Sequence, residues 1–334
     1  MPDDHPPPEH RTDVASLALA GLRQPRKTLP AQLFYDEAGC RLFYRITDLP
    51  EYYLTRTELA LLPEAARDVA ARFDRPAALV EYGASDEAKA GFLLDRTRLA
   101  RPVFAAYVPI DVAAPALARL RARLARARPA LDVWPIAADF LGPVTLPRAT
   151  GGLARLGFFP GSTIGNLDPD EARAFLRRVR ATLGAGARLL VGVDLRKDAA
   201  ILLPAYDDAA GVTAAFNRNL LVRLNREAGA DFDPTEFAHR AVWNAQEGRI
   251  EMHLQSLRAQ TVRVAGETIR FAAGETIHTE NSYKHTLPGF AALAAASGWT
   301  TEQVWTDPAG LFSLHLLAEG SEAPPPPPDS RPAC

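Results

Sequence analysis

The sequence predicts an α/β protein with a Rossmann-like, mostly parallel sheet and a second, smaller α+β domain. Two observations support this fold class. Between residues 59 and 196, apolar strand patterns alternate with helical patterns, as in a chain of βα units. Between residues 238 and 271, polar and apolar residues alternate in short stretches, which indicates antiparallel strands outside that regular series.

Composition is that of an ordinary globular protein. The chain has 334 residues, 47% of them hydrophobic, and a net charge of -2. Because this charge offers no attraction to nucleic acid or anionic lipid, we expect a small-molecule substrate and neither kind of partner. Cys40 and Cys334 cannot form a disulfide framework, and no cysteine and histidine spacing resembles a zinc site. We expect a cytoplasmic, soluble protein, since no signal peptide or long apolar run is visible. We also expect a monomer without a bound metal.

Both ends of the chain are predicted to be disordered. Residues 1–11 are polar and rich in proline, and residues 321–334 include five consecutive prolines. Neither segment has the apolar residues that a core requires. The predicted fold therefore begins at residue 12 and ends at residue 320.

The first part of the fold is predicted to be helical. Apolar spacing indicates helices over residues 12–23 and 57–73. Between them the chain carries an unusual number of aromatic residues: Phe34, Tyr35, Phe43, Tyr44, Tyr52 and Tyr53. Either a packed aromatic layer or a binding pocket accounts for such a concentration.

Residues 79–95 are predicted to form a strand, a tight turn and a helix. Glu81 ends the strand and Gly83 lies in the turn. A dinucleotide fingerprint would require three glycines, whereas the chain has Gly83, Ser85 and Ala88 at those positions, which argues against a nicotinamide dehydrogenase. An acid before a single small-residue turn is instead typical of S-adenosylmethionine (SAM) methyltransferases. The helix N-terminus would offer free N–H groups to such a ligand.

The next two predicted strands also end in acidic residues. Residues 102–111 end in Asp111, and residues 131–140 end in Asp139 and Phe140, with a helix predicted over 113–127 between them. A carboxylate at the second strand end can accept both ribose hydroxyls of an adenosine, although Asp111 could instead be a helix N-cap. Asp139 could accept the adenine amine while Phe140 borders the ring.

A fourth strand, ending at residue 159, is followed by a loop with Gly161, Ser162, Gly165 and Asn166. Glycines there allow close approach of the backbone to a ligand, at the position that faces the methyl donor. Turn geometry alone could also explain Asn166. Asp168 is expected to cap the following helix, with Pro169 as its first residue.

After a fifth strand, residues 188–194, the regular alternation stops. We expect a long helix over residues 204–221, antiparallel strands over 238–244, 249–256 and 261–271, a helix at 285–298, and a final hairpin from 300–306 and 311–317. The predicted substrate domain combines residues 12–58 with 197–285. The predicted SAM domain combines residues 59–196 with 286–320.

Several motifs resemble the SAM-dependent histidine Nα-methyltransferases of ergothioneine biosynthesis. They are Phe34-Tyr35-Asp36, Leu49-Pro50-Glu51-Tyr52-Tyr53, Thr55-Arg56-Thr57-Glu58, Gly161-Ser162-Thr163-Ile164-Gly165-Asn166 and Thr279-Glu280-Asn281-Ser282. The resemblance covers residues 29–317. It implies a Rossmann-like SAM methyltransferase core, a second α+β substrate-recognition domain, and three successive methylations of the histidine α-amine to hercynine.

The same resemblance implies the site residues. On the histidine side, Asn166 and Tyr206 would hold the amino-acid end with help from Tyr35. Tyr52, Glu280 and Ser282 would form the imidazole pocket, and Phe43 and Met252 its apolar walls. On the SAM side it implies Glu81, Gly83, Ser85, Lys89, Asp111, Asp139, Phe140 and Gly161, and no metal.

Glu280 and Ser85 are the residues on which alternative functions depend. The Glu280 carboxylate could accept an imidazole N–H and exclude apolar side chains, but it could also be an ordinary surface strand residue. Ser85 stands where the family usually has a second glycine, and its side chain would narrow the space for the methionine part of SAM. The alternatives are a methyltransferase for another amino acid or a modified histidine, and an impaired homologue that binds SAM or an amino acid without turnover.

Overall fold

The computed structural model describes residues 13–84, 86–95 and 103–320. Ser85, Cys334 and both predicted disordered termini lie outside these ranges. The α-helices in the described ranges are α1 (Val14–Leu22), α2 (Glu37–Thr47), α3 (Tyr53–Ala71), α4 (Ala90–Leu94), α5 (Ala114–Ala127), α6 (Pro169–Leu183), α7 (Ala199–Tyr206), α8 (Val212–Glu227) and α9 (Leu287–Ala295). Within the described part, no helix combines the length and the apolar character of a membrane span.

The strands of the same ranges form one large sheet, one smaller sheet and a hairpin. They are β1 (Lys27–Thr28), β2 (Ala77–Tyr82), β3 (Phe104–Asp111), β4 (Asp132–Val133), β5 (Ile136–Ala137), β6 (Ala154–Phe159), β7 (Arg188–Asp194), β8 (Phe237–Asn244), β9 (Arg249–Ser256), β10 (Gln260–Val264), β11 (Glu267–Phe271), β12 (Thr276–Tyr283), β13 (Trp299–Thr306) and β14 (Phe312–Glu319).

The chain divides into two compact units. The first comprises the described parts of Met1–Tyr52 and Asp198–Ser282, and the second those of Tyr53–Lys197 and Tyr283–Cys334.

The second unit contains the large sheet, in the order β13-β14-β7-β6-β2-β3-β4, with β5 also paired to β3. Strands β7, β6, β2 and β3 are parallel, and β14 runs antiparallel to β7. Strand β2 is buried along its whole length, as expected for a strand covered on both faces. The predicted Rossmann-like α/β fold is thereby confirmed.

The chain order reverses beside β2. From β2 the chain proceeds outward through β3 to β4 and β5, then returns to the other side of β2 as β6 and continues to β7. In open α/β sheets, ligands bind outside the carboxyl ends of the strands at such a reversal. The turns after β2 and β6 are therefore the first place to look for a binding site.

The first unit has a four-stranded sheet in the order β1-β12-β9-β8 and the hairpin β10-β11. Strands β8 and β9 are antiparallel, which confirms the alternation over residues 238–256. The single strand predicted over residues 261–271 is wrong, because β10 and β11 form an antiparallel hairpin that turns at Ala265 and Gly266, both at positive φ. Along β9, buried and half-buried residues alternate strictly, so Met252 points to the core and its neighbours Glu251 and His253 to the other face.

The single strand predicted over residues 131–140 is wrong. The structure has two short strands, β4 and β5, and Asp139 and Phe140 follow β5 instead of ending a long strand. The intervening Pro135 has no N–H to donate to β3, so continuous pairing cannot be maintained there.

The long helix predicted over residues 204–221 is also wrong, because it is two helices, α7 and α8. The Asp208 carboxylate accepts the N–H groups of Val212 and Thr213, at 2.9 and 2.7 Å, and so begins a new helix. Gly211, at φ +69°, provides the left-handed residue that this break requires.

The predicted start of α6 is confirmed. The Asp168 side chain accepts the N–H of Glu171, whose carboxylate accepts the Asp168 N–H in return, and Pro169 is the first helical residue. The alternative role of Asp111, as the N-cap residue of the next helix, is not found. Helix α5 has Ala113 at its N-cap, and the Asp111 carboxylate accepts the Ala113 N–H at 2.8 Å.

Candidate active site

Glu81 lies at the carboxyl end of β2 and is 2% exposed. Its carboxyl group accepts a hydrogen bond from the Tyr107 hydroxyl on the neighbouring strand β3. Burial raises the pKa of Glu81 to about 8, although the Tyr107 hydrogen bond acts in the opposite direction. Burial therefore favours the protonated form of Glu81.

This pKa makes a testable contribution to stability. Unfolded Glu81 loses its proton above its ordinary pKa of 4.5, whereas the folded protein keeps it up to about pH 8, so stability falls as pH rises through this window. We expect Glu81→Gln to abolish this decline and to gain at least about 1 kcal/mol over the wild type between pH 5 and pH 8 in urea unfolding.

The matched control is Glu87→Gln, because hydrogen bonding to Arg123 lowers the pKa of Glu87 below its ordinary value. That variant should keep the decline of the wild type over the same pH range. Parallel curves for the wild type and Glu81→Gln would contradict the raised pKa.

The turn after β2 lies beside the ends of β3 and β5. Gly83 has φ +77°, and a Cβ built there would lie 3.6 Å from the Phe140 ring. The Asp111 carbonyl accepts the Ala138 N–H at 3.0 Å, so the segment leading to Asp139 adjoins Asp111. The structure thus brings Gly83, Asp111 and Phe140 to the same edge of the sheet, as predicted.

These side chains differ in their surroundings. Phe140 packs its ring on Phe159 and Phe175, with centroids 5.5 and 5.8 Å apart. Asp139 is exposed, and its carboxylate accepts the Leu141 N–H at 2.8 Å. Burial raises the pKa of Asp111, whose environment is more enclosed. Phe140 is therefore held in place by the core, while Asp111 and Asp139 keep oxygen atoms available.

A buried carboxylate that sequence reasoning missed links the turn after β6 to the start of α4. Glu58 on α3 is completely buried and accepts the Gly161 N–H at 2.9 and 3.0 Å. The Lys89 ammonium lies 2.7 Å from the same carboxylate. The predicted SAM residues Lys89 and Gly161 therefore both contact the Glu58 carboxylate. Only the motif containing Glu58 was noticed in the sequence, because contact over such a separation leaves no local pattern.

The turn after β6 is tightly constrained. Ser162 has φ +57°, and its hydroxyl oxygen accepts the Asp194 N–H at 2.9 Å. At Gly165, a Cβ would lie 2.7 Å from the Tyr283 carbonyl oxygen, so only glycine fits there. Asn166 is the last residue of the 3-10 helix that follows and is half-buried. Its backbone position is therefore set by packing on both sides.

A second missed group lies at the end of β7. Asp194 is fully buried and contacts the ammonium groups of Lys197 at 2.6 Å and Lys284 at 2.7 Å. The Tyr53 hydroxyl also bonds to this carboxylate, at 2.8 and 2.9 Å. Burial lowers the pKa of Lys197 to about 8. Tyr53, one of the aromatic residues noted in the sequence, thus belongs to a buried ionic network.

In the first unit, three predicted substrate residues come together. The Tyr206 hydroxyl at the end of α7 lies 2.8 Å from the Ser282 hydroxyl on β12. The Tyr52 ring meets the Tyr206 ring edge-on, with centroids 6.4 Å apart. The His239 ring holds the Tyr206 carbonyl through Nε2 at 2.8 Å. The result is a small group of aromatic and hydroxyl side chains without a charged member.

The other predicted aromatic residues form a second group. Tyr35 and Phe43 contact one another edge-on at 6.0 Å, and both contact Phe216 on α8, which sequence reasoning missed. Tyr35 is 37% exposed. Phe216 also stacks on Phe34 at 4.4 Å, so this group is a packed aromatic layer in which Tyr35 is exposed and Phe43 half-buried.

Met252 and Glu280 lie on the neighbouring strands β9 and β12. The Thr279 hydroxyl donates to the Met252 carbonyl at 3.0 Å and ties the two strands together. Met252 is buried, and Glu280 is half-buried and lies two residues before Ser282. The intermediate exposure of Glu280 suits a carboxylate that meets a ligand.

Comparison with known proteins extends this picture. Residues 14–319 match the family model described as histidine-specific methyltransferase, SAM-dependent. The chain is 44% identical over 299 residues to a histidine N-alpha-methyltransferase of Mycolicibacterium smegmatis, covering 89% of this chain and 92% of that protein. It is 42% identical over 315 residues to the enzyme of the same name from Mycobacterium tuberculosis, covering 92% and 97%. Ergothioneine biosynthesis protein 1 of Neurospora crassa is 29% identical over 305 residues, which cover 88% of this chain and 33% of that longer protein.

Proposed function

The chain belongs to the family of histidine-specific, SAM-dependent methyltransferases, and from this premise we propose its substrate and product. The proposed reaction transfers three methyl groups in succession from SAM to the α-amine of L-histidine, giving hercynine in ergothioneine biosynthesis. The relatives named histidine N-alpha-methyltransferase match over both units of the chain, which supports histidine as the substrate here.

The second unit suits SAM. Its residues lie at the reversal of strand order, where Gly83 leaves room for a ligand and Phe140 forms an apolar wall. We assign the ribose hydroxyls to Asp111, the adenine amine to Asp139, and the methionine part to Glu81, Lys89 and Gly161. When bound, SAM supplies an electrophilic methyl group on its sulfonium.

The first unit suits histidine. Methyl transfer to an amine needs a neutral nucleophile held in line, and a strong base is not required. The Tyr206 and Ser282 hydroxyls can orient polar atoms without adding a charge that would trap an ammonium. We assign the imidazole to Tyr52, Ser282 and Glu280, the apolar walls to Phe43 and Met252, and the amino-acid end to Tyr206 and Tyr35. A role for Asn166, which lies in the second unit, stays a prediction.

One observation carries this proposal in particular. Tyr52, Tyr206 and Ser282 come from three distant parts of the sequence and meet in one group, with a hydroxyl pair at 2.8 Å. Each hydroxyl oxygen has further lone pairs beyond this mutual hydrogen bond, so the pair can also hold a polar ligand. A small molecule with a polar ring and a polar end has that character.

Histidine incubated with the enzyme and SAM is expected to gain one, two and then three methyl groups by mass spectrometry. The S-adenosylhomocysteine released should equal the number of methyl groups transferred. A panel with tryptophan, tyrosine, phenylalanine and leucine provides the comparison. Turnover of tryptophan or tyrosine with none of histidine would contradict the proposed substrate.

The effect of Ser85 on SAM affinity distinguishes an active enzyme from an impaired homologue. Calorimetry with SAM, on the wild type and on Ser85→Gly, measures donor affinity directly. No detectable binding by the wild type at millimolar SAM, with binding restored in the variant, would show that this serine impairs the site. The assignment of the two units to substrate and SAM, the monomeric state and a cytoplasmic location stay predictions.

A further inference from the structure

Three metal-ligating side chains meet on the first unit's sheet. Glu251 and His253 lie on β9, and His278 lies on the neighbouring strand β12. One ligand atom from each residue lies within 4.8 Å of the other two. The histidine rings are stacked, with centroids 4.9 Å apart. Because the two histidines are distant in sequence, their spacing gives no metal-binding signature.

The hydrogen bonding of His253 is incomplete. Its Nε2 lies 3.2 Å from the Glu251 Oε2, while its Nδ1 is buried without a hydrogen-bond partner among the described residues. If Nε2 carries the proton, the Nδ1 lone pair is buried and unpaired. If Nδ1 carries it, the Nε2 lone pair faces a carboxylate. In the tautomer in which Nε2 donates to Glu251, the unpaired Nδ1 lone pair costs free energy that a cation bound at Nδ1 would recover.

The second histidine is held by its backbone neighbour. The His278 Nε2 lies 3.1 Å from the Glu280 carbonyl oxygen, two residues along the same strand. His278 therefore keeps its ring beside that of His253.

The Glu251 carboxylate is fixed with one oxygen directed at the cluster. Its Oε1 accepts hydrogen bonds from Asn244 at 2.9 Å and from the Arg249 Nε at 2.8 Å, and Oε2 faces His253. Such outer partners orient metal-binding carboxylates. The Arg249 charge opposes a nearby cation, but it is paired with the oxygen that faces away from His253.

We propose that Glu251, His253 and His278 form a binding site for one divalent transition-metal cation, with Zn²⁺ the best match. Two imidazoles and one carboxylate are a ligand set that zinc uses in proteins, and they leave a fourth position open. Ligand atoms in a tetrahedral zinc site are about 3.3 Å apart, given bonds of about 2.0–2.1 Å. Small rotations of the side chains would bring the three ligands to that separation.

A further buried oxygen lies close to the cluster. The Asn281 side chain interacts with that of His278, and its buried amide oxygen has no hydrogen bond of good geometry within the described ranges. It is a candidate for the fourth ligand, alongside water. A bound cation would link β9 to β12, so its main effect would be to stabilise the first unit. This site does not depend on the proposed function.

The test is zinc binding by the full chain after removal of metals with a chelator and dialysis. Isothermal titration with ZnCl₂ should show one equivalent bound, and zinc should raise the melting temperature. The double variant His253→Ala/His278→Ala should bind at least about 100-fold more weakly and show no rise in melting temperature, since even outer partners of a metal site are worth 10- to 100-fold.

Two further variants make the result decisive. Glu251→Gln preserves the shape of the side chain and should also weaken binding, with far-UV circular dichroism confirming the fold. Glu247→Gln removes an exposed carboxylate from the nearby turn and should bind zinc as the wild type does. Absence of zinc binding by the wild type at 100-fold excess, or equal binding by the double variant, would overturn the proposal.

Discussion

Asp194→Ala is expected to lower the free energy of unfolding by about 3–5 kcal/mol, because it leaves two buried ammonium groups without their counter-charge. Asp194 and Lys284 are both fully buried, and Lys197 is nearly so. The Tyr53 hydroxyl would also lose its carboxylate partner. Urea unfolding at pH 7, followed by circular dichroism, measures the change as a shift of the midpoint.

Asp170→Ala is the matched control, because it removes an aspartate from an exposed ion pair with Arg173. Exposed pairs contribute about 0–1 kcal/mol, so this variant should unfold close to the wild type. Asp194→Asn keeps an acceptor for Tyr53 but not the charge, and should lie between the two aspartate variants. If Asp194→Ala lost no more stability than Asp170→Ala, the network would not be the buried ionic cluster that the structure describes.

The predictable part of the fold is the part that local pattern encodes. Strand β7 begins and ends at Arg188 and Asp194, as apolar continuity predicted, and α6 begins where the Asp168 cap predicted. The errors occurred where one residue interrupts a favourable pattern. Pro135 removes a backbone donor from a strand, and Asp208 offers its carboxylate to the N–H groups that begin a new helix.

The residues of the candidate site also divide into those that local sequence pattern reveals and those that it does not. Glu81, Gly83 and Asp111 could be found because each lies at a strand end or in a turn whose position the pattern predicts. Glu58 and Lys284 could not, because their partners Gly161 and Asp194 are distant in sequence and a lone charged residue normally implies an exposed position. Burial of such charges becomes evident only once the strands are assembled.

Glu280→Ala is expected to weaken histidine binding roughly 100-fold, or about 2.7 kcal/mol, while SAM affinity changes little. A carboxylate that accepts an imidazole N–H contributes about 1.5–3 kcal/mol, and no other acidic residue of the proposed pocket can replace it. The half-buried position of Glu280 beside Ser282 on β12 favours this role over that of a surface strand residue. Calorimetry with histidine and with SAM, on the same preparation, gives both affinities.

The reciprocal variant is Asp111→Asn, which should weaken SAM far more than histidine, because Asp111 is assigned to the ribose hydroxyls at the end of β3. Opposite patterns in the two variants would separate a histidine pocket from a SAM pocket. The preference of the pocket for histidine over phenylalanine supplies a second readout. Phenylalanine should bind the wild type very poorly because it leaves the carboxylate unpaired, and that penalty disappears in Glu280→Ala. Equal losses of histidine and SAM affinity in Glu280→Ala, with discrimination unchanged, would place Glu280 outside the imidazole pocket and make it a structural residue of β12.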